Sequence, residues 1–381
     1  MTSLTSRERF VAAVEHREPD RVPLSLGGTA HKISDPLFHS LRDHFGITGE
    51  PQRVLTGISY SFNDDRLLDA LDTDTRYVHM AVPEPFKRKA YSDGSYETEW
   101  GVTFRDEGYF TAVVGHPLAA ATIEDLDRYP WPDAANPVRS SGLRDRAKRL
   151  GEETDRAVVA YRPVPCGLFE MACMLRGTEL FLVDMLANQT FAAALLEKIF
   201  DVQYALYRQQ LEAVGPYIQM AEMIDDYGSQ SGLLFSPRLY RQLLQPLQRR
   251  IVALIHELAP RAKIMFHSCG AVAALIGEFV ATGFDVLNPL QPRATGMDAA
   301  TLKADHGDRM AFLGGIDVQQ TLRGSREGVA AEVCHRIAAY GPGGGYVLAP
   351  SHNLFDDVPL ANVLCMIETA REAGVYPLER R

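Results

Sequence analysis

Long apolar runs, surplus basic charge and cysteine are all scarce in this sequence. No apolar stretch is long enough to cross a bilayer, and the opening residues Met1 to Phe10 lack the apolar core of a secretory signal. The expectation is a protein that stays in the cytoplasm and has no membrane contact. The formal charge is -10, and no basic run interleaved with aromatics occurs, which argues against a nucleic-acid surface or an anionic lipid surface. Partners are then small molecules or proteins. The five cysteines, Cys166, Cys173, Cys269, Cys334 and Cys365, are an odd count with no disulfide framework, which leaves free thiols or metal ligation. No Gly-x-Gly-x-x-Gly follows the first strand, so the dinucleotide fingerprint is absent too.

What is present is an ordinary globular composition, 46% hydrophobic and 23% charged, enough for a sizeable core in 381 residues. One stretch stands out. Lys263-Ile264-Met265-Phe266-His267-Ser268-Cys269-Gly270 is an apolar run ending in a histidine and a cysteine two residues apart. Strand side chains alternate, so the His267 imidazole and the Cys269 thiol project the same way from the strand tip, an N/S pair that zinc accepts readily. A core histidine beside an inert buried cysteine reads equally well from the pair alone.

Along the chain, helical patterns at 36–46 and 62–71 precede a candidate strand from Thr75 to Val82. Period-2 alternation then appears in Phe86 to Tyr91, Tyr96 to Phe104 and Tyr109 to Val114, around the turn dipeptide Asp93-Gly94; this predicts an antiparallel β-hairpin insertion over about 86–114. From Ala157 onward the rhythm is regular. The runs Ala157 to Tyr161, Tyr217 to Ile224, Ala262 to His267, Val286 to Pro289, Ala311 to Gly314 and Tyr346 to Ala349 alternate with helical stretches such as Pro237 to Leu258 and Glu327 to Tyr340. Strand followed by helix, repeated, means parallel pairing. With Arg21 to Leu26 and Thr75 to Val82 upstream, it predicts an α/β fold, a (β/α)8 TIM barrel occupying 1–381 as a single domain. Gly343-Gly344-Gly345 precedes the last strand and reads as a tight turn at the stabilising end.

Chemistry in such barrels sits past the strand C-termini. That rule selects Arg162 to Cys166, Asp225 and Asp226, His267 and Cys269, Asn288 to Gln291, Asp317, and Ser351 to Asn353. Asn288, Gln291, Asp317 and Asn353 are the candidates for substrate contact.

With these residues in hand the chain resembles the uroporphyrinogen decarboxylase superfamily. The resemblance rests on Arg21-Val22-Pro23, Tyr129-Pro130-Trp131-Pro132, Asp225 to Gln230, Phe266 to Gly270, Asn288 to Gln291, Gly314 to Asp317 and Gly343 to Asn353, in the superfamily's order. It implies a distorted (β/α)8 barrel and two activity classes: cofactor-free decarboxylation of porphyrinogens, and zinc-dependent methyl transfer to or from corrinoid proteins. The decarboxylase branch grips its tetrapyrrole carboxylates with an N-terminal arginine-rich signature, and the corresponding Arg21 to His31 segment has no such pair. The methyltransferase branch holds zinc with His-x-Cys and a later cysteine. His267 and Cys269 match the first two positions, and His352 stands where the third is expected.

The resemblance therefore implies a zinc site of His267, Cys269 and His352. One thiolate and two neutral histidines would leave the ion a net charge of about +1, suited to polarising a methyl ether oxygen while a corrinoid Co(I) takes the methyl group. Asp225 or Glu222 would close the coordination sphere or orient a ligand, and Asp226 would meet the substrate; a helix cap or strand-end hydrogen bond reads equally well for Asp225 and Asp226. The expected function is an O-demethylase-type methyltransferase working with a separate corrinoid (cobalamin) protein. A decarboxylase and a non-catalytic binding barrel are the alternatives.

Overall fold

Short apolar runs bury both faces when helices cover them, and here seven such runs pair in parallel. In the computed structural model, which describes residues 3–56, 59–83, 89–107 and 110–378, they are β1 (Thr75–Val78), β2 (Ala157–Ala160), β3 (Met220–Ile224), β4 (Lys263–His267), β5 (Val286–Asn288), β6 (Ala311–Ile316) and β7 (Tyr346–Pro350). Each pairs with its neighbour in chain order, so the sheet runs from β1 to β7 and curls. Helices return the chain between strands, among them Leu168–Arg176, the 26-residue Gln189–Val214, Gln245–Leu258 and Arg326–Tyr340.

The eighth position is filled irregularly. The Val22 to Leu26 segment lies between the edge strands: Leu348 N donates to Pro23 O at 2.9 Å, Ser25 N to Leu348 O at 3.0 Å, and Asp74 N to Leu24 O at 2.8 Å. Pro23 has no N–H to give to a ladder, which explains why this segment bridges rather than forms a regular strand. The architecture is consistent with the expected distorted TIM barrel.

Strand periodicity divides the core. Met220, Met265, Val286, Ala311, Leu313 and Val347 pack with Tyr77, Val159 and Phe10 inside the curl, while the alternate residues pack outward against helices. Two residues beyond the inward apolar layer, the same faces carry His79, Tyr161, Glu222, His267, Asn288 and Ser351. The interior thus turns polar at the strand C-terminal tips.

Between β1 and β2 the predicted insertion is an antiparallel four-strand sheet, Lys89–Ala90, Tyr96–Glu97, Thr103–Glu107 and Phe110–Gly115. Asp93-Gly94 makes the first turn, with Gly94 at φ 85°. The Phe86 to Arg88 part of the predicted hairpin, and Tyr109, lie outside the described residues. A second antiparallel pair, Gln52–Thr56 with Ser59–Asn63, replaces the start of the helix expected at 62–71, which runs only over Asp65–Ala70. Among the described residues no helix is long and apolar enough to cross a membrane.

Candidate active site

The tip of β4 places His267 inward and 3% exposed. Its Nδ1 lies 2.7 Å from Asn288 Oδ1 at the tip of β5, and Asn288 Nδ2 donates to Leu313 O at 3.1 Å. The amide is thereby oriented with its oxygen toward the ring, so Nδ1 carries the proton and Nε2 presents a lone pair. That lone pair points at Cys269 Sγ, 3.3 Å away, and at Asp226 Oδ1, 3.5 Å away. Asp226 also accepts from Cys269 N at 2.8 Å. The crossing that brings the loop after β3 against the loop after β4 needs glycine at both positions. A Cβ on Gly270, which has φ 87°, would come 2.5 Å from the Gly228 carbonyl carbon, and one on Gly228 would come 2.8 Å from Cys269 O.

Asp226, His267 and Cys269 offer ligand atoms that all lie within 4.8 Å of one another. Donors about 2.0 to 2.3 Å from a tetrahedral zinc stand roughly 3.3 to 3.8 Å apart, the spacing measured from Nε2 to its two neighbours. The electrostatics suit a cation as well. Burial, then the Asp226 and Glu170 carboxylates, push the Cys269 thiol well above its ordinary pKa. Burial, then Asp226 and Asp225, likewise raise Glu170, and burial lowers His267 to about 4 despite the opposing pull of Asp226 and Asn288. A thiol, an imidazole and neighbouring carboxylates at a partly buried site disfavour further negative charge until a cation joins them.

Glu170, three residues into the helix that follows β2, was not among the sequence candidates. It lies ten residues beyond the strand tip, outside the loop positions that the barrel rule selects. Its Oε2 is sealed from water and meets no hydrogen-bond partner among the described residues. The helix is held in place by Asp225, which is fully buried and accepts from Phe169 N at 2.8 Å, Glu170 N at 3.0 Å and the Tyr227 hydroxyl at 3.0 Å. Burial raises Asp225 to about 7 against those three donors.

The remaining sequence candidates divide by what they touch. Glu222, buried in the mouth, accepts from Thr29 N at 3.2 Å and Thr29 Oγ1 at 2.8 Å, pinning the N-terminal segment. Asn288 serves His267. Gln291 Oε1 accepts from Gly270 N at 2.9 Å, which steadies the Cys269 loop. Asp317, 2% exposed, binds Arg293 Nε at 2.6 Å and Gln319 N at 2.8 Å. Asn353 Oδ1 accepts from Lys32 N at 3.1 Å. His352 is half-buried beside Phe355 and lines an open groove with Gln291, Arg293 and Asp317. Burial lowers its pKa and Asp226 raises it, and it is not one of the three residues whose donor atoms lie within 4.8 Å of one another.

Comparison with known proteins bears on the family and the fold. The family described as Uroporphyrinogen decarboxylase (URO-D) matches residues 100–373. A uroporphyrinogen decarboxylase from Nostoc punctiforme is 23% identical over 271 residues, 69% of this chain and 72% of its own length. One from Trichormus variabilis is 24% identical over 260 residues, 67% of this chain and 69% of its own. Among solved structures, a methyltransferase from Methanosarcina mazei shares the fold, with a TM-score of 0.64 over 97% of this chain and 99% of its own at 18% identity. With the family match spanning β2 to β7 and the helices between them, the chain belongs to the uroporphyrinogen decarboxylase family.

Proposed function

We propose that the protein is a zinc-dependent methyltransferase that moves a methyl group between a small methoxylated or methylated compound and a separate corrinoid protein. The observation that carries the reading is the His267–Cys269–Asp226 cluster, with two of its donor spacings at 3.3 and 3.5 Å. The fold shared with the Methanosarcina mazei methyltransferase supports it. His267, Cys269 and Asp226 would hold the ion, and Glu170, whose carboxylate feels Asp226 but which is not in that close group, would add negative charge nearby. When bound, zinc would polarise the oxygen of a methyl ether or keep an acceptor thiol deprotonated. Around Zn2+ this set is formally less positive than one with His352 in place of Asp226, so both directions of transfer belong in the assay. The chain's own part is to orient His267 through Asn288, to fix the Cys269 loop through Gln291 and Asp226, and to exclude water.

Cofactor-free decarboxylation is the second reading, favoured by the curated relatives that carry that name. Metal analysis of protein purified without chelators separates the two. About one zinc per chain is expected in the wild type and less than about a tenth in Cys269→Ala, with methyl transfer from methoxylated aromatics to a reduced corrinoid protein lost in the variant. Turnover of uroporphyrinogen by metal-stripped wild type would overturn the proposal.

A further inference from the structure

On the β1 and β2 side of the mouth a pocket lies between the strand tips and the antiparallel insertion. Trp100 and Met171 supply apolar wall, and Tyr161, Arg162, His79 and Glu99 supply polar wall. Glu99 is held by Arg139. Arg162 is different. Its described partners are neutral oxygens: Thr29 Oγ1 at 3.2 Å, Val164 O at 2.6 Å and Pro165 O. The Tyr161 hydroxyl, on a residue only 2% exposed, is sealed from water with the Lys32 ammonium as its side-chain neighbour. The Lys32 ammonium stands 5.4 Å over the Tyr161 ring and Arg162 is 5.3 Å from the same ring, so two cations flank one phenol. Burial raises the phenol's pKa, yet the pull of Arg162 and Lys32 brings it below the ordinary value, the sign of a locally positive field. No carboxylate is in ion-pair contact with Arg162 among the described residues; Glu170 and then Glu222 act on it from farther off, and Glu222 is committed to Thr29.

A half-buried guanidinium with no carboxylate in ion-pair contact, next to a sealed hydroxyl and a second cation, is a place where an arriving anion gains charge-assisted hydrogen bonds. We propose that this pocket is the anion site for the substrate. Arg162, the Tyr161 hydroxyl and Lys32 hold the carboxylate of a small organic acid, and its apolar body lies against Trp100 and Met171. Taking the His267–Cys269–Asp226 cluster as the reacting centre, as proposed above, the group to be transferred is the one at the far end of that body from the carboxylate.

The test is binding without turnover, so it is independent of zinc, corrinoid and the reaction assigned. The full chain is titrated with para-methoxybenzoate and its neutral counterpart para-methoxybenzamide, followed by calorimetry and by tryptophan fluorescence, since Trp100 is one of only two tryptophans. The acid is expected to bind at least about tenfold more tightly than the amide, the usual return on charge-assisted hydrogen bonds, and to quench wild type but not Trp100→Phe. Tyr161→Phe, which removes one oxygen and keeps the ring, and Arg162→Met should each reduce the preference to less than about threefold with the circular dichroism spectrum unchanged. Should Arg162→Met fail to fold, Tyr161→Phe decides alone. Equal binding of acid and amide, a preference that survives both variants, or no binding of the acid at millimolar concentration would overturn the proposal. Loss of methyl transfer with acid binding intact would count against the function proposed above and leave this inference standing.

Discussion

Single side chains in the mouth act through partners far away in sequence, and that is where substitution speaks most directly. Asn288 accepts the His267 Nδ1 proton and so aims Nε2 at Cys269. Asn288→Ala should leave a buried N–H unpaired, lowering stability by about 1–3 kcal/mol. It should also weaken zinc binding roughly 10- to 100-fold in competition with a chromogenic chelator. Unchanged affinity would mean that the ring is oriented by something else. His31 makes a pH prediction. It is fully buried between Ser25 Oγ at 3.2 Å and the Tyr77 hydroxyl at 2.9 Å, and burial depresses it to about 3. Between that value and the ordinary histidine pKa the unfolded chain binds a proton that the folded one refuses, so the contribution of His31 is whole near pH 7 and is lost as pH falls. Urea unfolding should show a stability slope shallower by up to about 1.4 kcal/mol per pH unit in His31→Gln across that window. An identical slope in the two proteins would show that His31 does not titrate there.

At the scale of elements, turns and caps set the distances that matter. The triple-glycine turn before β7 has all three residues at positive φ, Gly344 at 76°. A Cβ on Gly344 would come 2.6 Å from the Arg17 carbonyl oxygen, whereas one on Gly343 meets nothing within 4 Å. Gly343→Ala should therefore cost only the left-handed conformation, about 1–2 kcal/mol, and Gly344→Ala clearly more, because backbone must move as well. Thermal melts of the two variants check the order; equal losses would contradict the contact. The turn itself was legible in the sequence because it precedes an apolar run. The helix Leu168–Arg176 was not, although Asp225 caps it and Glu170 rides on it. Asp225 was open to a catalytic or a capping reading in the sequence, because the backbone partners it accepts from lie more than fifty positions earlier.

The whole molecule is tied together at Asp74. This carboxylate is fully buried and binds Arg9 Nη1 at 2.6 Å, Arg21 Nη1 at 2.9 Å and Leu24 N at 2.8 Å, joining the first helix, the irregular eighth segment and the start of β1. Asp74→Ala would take the shared carboxylate from two guanidiniums, leaving Arg9 with Asp20 at 2.7 Å and Arg21 with only the longer pair to half-exposed Asp72 at 3.6 Å. A loss of about 3–5 kcal/mol is expected from breaking such a buried network on one side. Chemical denaturation measures it, and a loss under about 1 kcal/mol would mean that Arg21 relaxes into solvent.

The sequence by itself determined the strand and helix alternation and the His267–Cys269 pair, because period-2 projection is a local property of the backbone and survives any tertiary arrangement. The order of motifs along the chain added the family. The third member of the close triad was decided by tertiary structure alone: Asp226 and not His352 stands beside the pair, because two loops cross at Gly228 and Gly270, where only the absence of a Cβ allows contact. The same holds for Glu170 and for the Arg162–Tyr161 pocket beneath the insertion. Distances between side chains on different loops depend on how the sheet curls and how helices seat on it, and no periodicity in the chain encodes those.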